Sequence, residues 1–102
     1  MMLSDYKLEM FWESGCCAAW QNAVAELSED IGEVLPHLQS ALKESIYDPG
    51  QRVLRLRKEG AEICIHPKRI DVTYLQSEAE ARALVDWLKD MINETYGRLK
   101  GN

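Results

Sequence analysis

Three cysteines and two histidines are the side chains in this 102-residue sequence best suited to metal or redox chemistry. Cys16 and Cys17 are adjacent and follow Gly15, which places two thiols in or just after a turn. If residues 18–28 form a helix, its positive end lowers the thiol pKa and favours metal binding or redox reactivity at Cys16 and Cys17. Cys64 and His66 lie two residues apart in an alternating stretch, share one face of a strand and are able to chelate together. Cys16, Cys17, Cys64 and His66 are all acceptable ligands for zinc or for iron in an iron–sulfur cluster. Against that set, adjacent cysteines are awkward tetrahedral partners and no Cys-x-x-Cys spacing occurs. Free cysteine is among the most commonly buried residues, so packing is the plainer reading. In a symmetric dimer the Cys16-Cys17 loop occurs twice, and the two pairs supply four thiolates. A thiol redox protein needs a depressed pKa at Cys16 or Cys17, with Cys64 as the resolving thiol.

The second chemical feature is charge. The net charge is −5, which argues against a general nucleic-acid binder. It is unevenly spread: residues 1–51 carry −7, residues 52–69 carry +4 and residues 70–102 carry −2. The basic middle segment holds Arg52, Arg55, Arg57, Lys58, Lys68 and Arg69, a docking surface for an acidic partner or, more plainly, a solvated sheet face. No Gly-rich phosphate loop, nucleophile elbow or His-Glu-x-x-His motif is present, so no catalytic residues are assigned. The aromatic set Trp12, Trp20, Tyr47, Tyr74, Trp87 and Tyr96 reads as core and rim, or as an oligomer interface.

These residues need elements to position them. The length suits one domain, residues 1–102, with a core sufficient to fold without disulfides. An odd cysteine count and no basic, apolar leader in the first residues point to reduced thiols in a cytoplasmic protein. No apolar run is long enough for a membrane helix. Tyr6, Leu8, Met10 and Trp12 alternate with Lys7, Glu9 and Glu13, which predicts a strand with one buried face. Residues 20–28 fit both periods, helix and strand. Asp30 and Glu33 have the spacing of a capping box, and a helix, broken or not by Pro36, is expected from Ile31 to Lys43.

Asp48-Pro49-Gly50 and Glu59-Gly60 read as turns, the first with Gly50 at positive φ, flanked by short strands around Val53–Leu56, Ile63–Ile65 and Ile70–Tyr74. A long helix follows the Ser77/Glu80 capping box, with Leu84, Leu88, Met91, Ile92 and Leu99 inward and Gly97 or Gly101 as its end. The expected architecture is α+β: an antiparallel sheet of about four to six strands with two helices packed on one face.

Laid out in this way, the chain resembles a known family. Asp30-Ile31-Gly32-Glu33-Val34-Leu35-Pro36-His37-Leu38 is similar to an Asp-Ile-x-x-Val-Leu-Pro-Tyr-Leu signature. Residues Arg52–Asp71, the closing Glu80-Ala81, Trp87-Leu88 and Ile92–Tyr96, and Gly15-Cys16-Cys17 resemble the same proteins. They are anaerobe-associated bacterial and archaeal iron–sulfur proteins in which this module precedes a short domain whose four cysteines hold a four-iron cluster. The resemblance implies a strand over residues 22–28. This sequence stops at Asn102 without those four cysteines, so cluster binding does not carry over from that domain. The expectation is a non-enzymatic interaction module that works with an iron–sulfur or other metalloprotein and docks through Arg52–Arg69. The alternatives are a small zinc or iron–sulfur protein built on Cys16 and Cys17, possible also across a homodimer, and a thiol redox protein. Neither nucleic acid nor a membrane is an expected partner.

Overall fold

The computed structural model of the chain describes residues 3–14 and 19–101. Six strands form one antiparallel sheet: β1 (Tyr6–Ser14), β2 (Ala19–Leu27), β3 (Ile46–Asp48), β4 (Val53–Lys58), β5 (Ala61–Ile65) and β6 (Arg69–Leu75). Two helices complete the fold, α1 (Leu35–Ala41) between β2 and β3, and α2 (Glu78–Gly101) after β6. The spatial order is β1-β2-β6-β5-β4-β3, so a β1–β2 hairpin docks through β2 against the last strand of a β3–β6 meander. The α1 segment carries the chain from β2 across to the far edge. The expected α+β class and its two helices are therefore present.

Residues 19–27 are strand. β2 pairs with β1 from Tyr6↔Leu27 to Ser14↔Ala19 and with β6 from Gln21↔Leu75 to Glu26↔Arg69. Backbone bonding on both edges selects the period-2 reading, and Ala23, Ala25 and Leu27 take the buried face. The small alanines there let α2 lie close to β2 as well as β6. Leu54, Leu56, Ala61, Ile63, Ile65, Ile70 and Val72 fill the same inner face. Opposite them stands the α2 stripe of Ala81, Leu84, Val85, Leu88, Ile92 and Tyr96, with helical spacing. Leu99, expected inward, is 44% exposed. α1 contributes Leu35 and Leu38, flanked by Ile31, Val34 and Leu42, and touches α2 as well as β3 and β4. Both helices thus cover one face, and among the described residues no helix covers the other face of the sheet.

Three local features depart from the sequence reading. Asp30 does not cap a helix at Ile31; its carboxylate accepts the Gly32 N–H at 2.8 Å, a turn at Ile31–Val34 follows, and the helix starts at Leu35 with Pro36 in its first turn. Gly50 is not the positive-φ residue of its turn: Asp48 Oδ1 accepts the N–H groups of Gly50 and Gln51, and Arg52, at φ 56°, brings the chain into β4. Tyr74 sits at φ 66° and is exposed, while Leu75 is buried. The register explains it, because β6 uses one more residue than β2 between Ala23↔Val72 and Gln21↔Leu75, a bulge that shifts the inward phase by one. Of the two glycines read as the end of α2, Gly97 lies inside the helix and Gly101 is its last residue.

Other signals are met as read. Ser77 Oγ accepts the Glu80 N–H at 3.2 Å, capping α2. Glu59 and Gly60, at φ 52° and 87°, form the two-residue loop between the Lys58↔Ala61 pair, the left-handed geometry that matches strand twist. The N-terminal segment is tied to α2: the Leu3 N–H donates to Asn93 Oδ1 at 2.8 Å and Asn93 Nδ2 donates back to the Leu3 carbonyl at 3.0 Å. No helix among the described residues is long and apolar enough to cross a membrane.

Candidate functional site

The open face is assembled from alternate residues of each strand. In β4, Leu54 and Leu56 point to the core, so Arg55 and Arg57 must point outward. Register sets Arg55 opposite Cys64 and Arg57 opposite Glu62 in β5. Cys64 in turn faces Asp71 of β6, and Ile46 of β3 faces Arg55 on the other side. Ile46 is 71% exposed, an unusual position for an isoleucine in an ordered strand. A shallow groove of about 480 Å³ runs here, lined by Glu44, Ile46, Arg55, Arg57, Glu62 and Cys64.

Charges of both signs meet at this end of the face, where Arg55 and Arg57 line the groove with Glu44 and Glu62. Arg57 Nη2 pairs with Glu62 Oε1 at 2.6 Å, yet its side chain keeps 80% of its exposure. Arg55 Nη2 donates to Gln51 Oε1 at 3.3 Å, a neutral acceptor that leaves its charge unmatched. Arg69 Nε donates to both Asp71 oxygens, and His66 Nε2 lies 3.1 Å from Asp71 Oδ2, so that carboxylate is already shared. Nearby charges on solvated side chains of this kind steer a partner more than they hold the fold together.

The structure divides the six basic residues of the 52–69 segment into three groups. Arg55, Arg57 and Arg69 are on the open face. Arg52 and Lys68 instead line a second opening of about 570 Å³ at the end of the sheet, with Glu29, Asp30, Glu33 and Lys100. There the cations line the same opening as carboxylates of their own chain, and a Cβ on Gly32 would run into the Arg52 guanidinium. Tyr96 closes this opening, its hydroxyl donating to the Asp30 carbonyl at 3.2 Å; burial, with the Glu33, Asp30 and Glu29 carboxylates, raises its pKa. Lys58 turns to the helix side, and its ammonium stands 4.4 Å from the Trp87 ring centroid, a cation–π contact.

Cys16 and Cys17 lie outside the described residues. Cys64 and His66 share the outer face as their spacing requires, with Cys64 opposite Asp71 and His66 beside it. Among the described residues, no group of three or more histidine, cysteine, aspartate or glutamate side chains is placed to hold a metal ion. Sequence reading missed Ile46, Glu62 and Asp71 as members of this surface. The signal for Ile46 was available: a turn at Asp48-Pro49-Gly50 forces a hairpin, and counting back from Arg55 across it pairs Arg55 with Ile46.

No protein-family model, no curated protein and no solved structure matches the chain.

Proposed function

We propose that this chain is a non-catalytic binding module that docks a protein partner on the open face of its sheet, at the β3–β5 end. The observation that carries this reading is the one-sided placement of the helices. With α1 and α2 both on the inner face, Ile46, Arg55 and Arg57 are presented to solvent beside a groove, in an otherwise acidic chain. An apolar anchor beside two exposed arginines, of which Arg55 has no carboxylate partner among the described residues, fits a partner with acidic groups around a small apolar knob. Arginine suits this role because its planar fork binds carboxylates with two parallel hydrogen bonds. The likeness to iron–sulfur proteins supplies the class of partner: an iron–sulfur or other metalloprotein with an acidic docking surface.

The test is cross-linking capture from the native cell, followed by affinity measurement with the purified partner across a salt series. Affinity falls as ionic strength rises, and Arg55→Glu/Arg57→Glu abolishes binding while the fold persists. Unchanged affinity in that double variant sinks the reading. Iron and zinc analysis of protein purified without oxygen provides a second route to overturn it. Stoichiometric metal that disappears in Cys16→Ser/Cys17→Ser makes this a metalloprotein instead.

A further inference from the structure

The two edges of the sheet are built differently, and one is ready to pair. At the β3 edge the strand is three residues long, and left-handed residues flank it on both sides, Glu44 at φ 66° and Arg52 at φ 56°. Short edge strands with kinked ends resist addition of a further strand. β1, at the opposite end, is nine residues long and pairs with β2 without a bulge. It contains neither proline nor glycine, and among the described residues its other edge has no neighbouring strand. Its inward side chains, Tyr6, Leu8 and Met10, are only partly buried and pack against the border of the core. The apolar layer therefore reaches the rim of the sheet and stops there unfinished.

The side-chain pattern of β1 says what completes it. Suppose a second copy adds its own β1 antiparallel, with the two-fold axis through Leu8. Leu8 then opposes Leu8, Tyr6 opposes Met10 of the second copy, and Met10 opposes Tyr6 of the second copy. The three partly buried residues of each chain form one apolar row across the joint. On the outer face the same register sets Lys7 against Glu9 of the second copy, and Glu9 against Lys7 of the second copy. Both are exposed, and neither belongs to an ion pair among the described residues. Axes through Lys7 or Glu9 set like charges opposite one another, which is destabilising. A two-fold perpendicular to the sheet also keeps both sets of helices on one side, so the open faces join into a single surface.

We propose that β1 is a homodimer interface: two copies pair edge to edge through β1, in the Leu8-centred register, to make one continuous twelve-stranded antiparallel sheet. The interaction is isologous, and one unpaired strand edge on each copy is consumed. It lies at the end of the sheet away from Arg55 and Arg57, so it stands or falls independently of partner docking.

The test is sedimentation equilibrium of the protein under reducing conditions across the micromolar range, so that no disulfide contributes. The expected result is a reversible species of twice the 11.7 kDa chain mass. Lys7→Glu and Glu9→Lys each place two like-charge pairs in the joint and weaken dimerisation by about tenfold. The exchange Lys7→Glu/Glu9→Lys restores the wild-type constant, because it rebuilds both pairs with their signs reversed. Circular dichroism checks that each variant is folded. Amide hydrogen exchange on the wild type supplies a readout free of substitutions: protection in β1 rises with protein concentration, while protection in β3 does not. A monomer at every concentration, a dimer indifferent to the single substitutions, a double exchange as weak as either single change, or concentration-independent β1 protection overturns the proposal.

Discussion

Leu54 and Arg55 are consecutive residues of one strand and face opposite sides of the same sheet. Leu54 is fully buried in the core, whereas Arg55 is exposed and its side chain hydrogen-bonds, among the described residues, to Gln51. The inner face is set by volume: every side chain must fit Leu35, Leu38 and the α2 stripe. The outer face is set by charge and shape that the fold itself does not need. Residues free of packing duty, such as Arg55, are the ones available to a partner.

Substitutions on the two faces have the most unequal effects. Leu54→Ala removes buried methyl groups and leaves a cavity, so stability falls by about 2–5 kcal/mol in denaturant unfolding. Arg55→Ala, one residue along, changes stability by less than about 0.5 kcal/mol. Equal effects at the two positions dissolve the distinction. Next in size are the bonds that hold the inner layer in place. Ser77→Ala takes the cap from α2 and costs about 1 kcal/mol, seen as a lowered unfolding midpoint. Tyr96→Phe removes the hydroxyl donated to the Asp30 carbonyl and costs about 0.5–1.5 kcal/mol.

A pH series sharpens the boundary between the layers at β1. Burial, followed by the hydrogen bond and charge of Asp86, raises the Tyr6 pKa from 10.0 to about 12. The folded state therefore holds the phenol proton more tightly than the unfolded chain does. The resulting stabilisation is complete below pH 10 and is lost as pH rises through the window from 10 to about 12. Tyr6→Phe has a shallower loss of stability across that window, measured by denaturation at successive pH values. A small effect belongs again to the outer face: Glu62→Gln breaks the ion pair with Arg57, and because Arg57 is 80% exposed, stability moves by no more than about 1 kcal/mol.

Much of the fold is legible in the sequence, because local signals and packing agree. Ser77 with the stripe from Ala81 to Tyr96 specifies α2, and Glu59-Gly60 between alternating runs specifies the β4–β5 hairpin. Residues 20–28 are not legible alone, since Trp20, Ala23, Val24 and Leu27 suit a helix as well as Ala23, Ala25 and Leu27 suit a strand. The choice is made by β1 and β6, which lie far along the chain at pairs such as Tyr6↔Leu27 and Gln21↔Leu75, through backbone bonds that no local period encodes. The Tyr74 bulge is hidden for a related reason: only the neighbouring strand shows that an extra residue has entered. As for the site, a run of basic residues reads as one patch along the chain. Strand alternation sends Arg55 and Arg57 one way and Lys58 the other, while the loops take Arg52 and Lys68 to the carboxylates at the end of the sheet.

The placement of α2 has a consequence for how the molecule is made. This helix covers β2 and β6 and clamps Leu3 through Asn93, but it follows all six strands in the chain. During synthesis the sheet residues emerge before the cover that hides them. Ala23, Ile63, Val72 and their neighbours are then a bare apolar surface on the ribosome, a target for chaperones until the last helix closes over them.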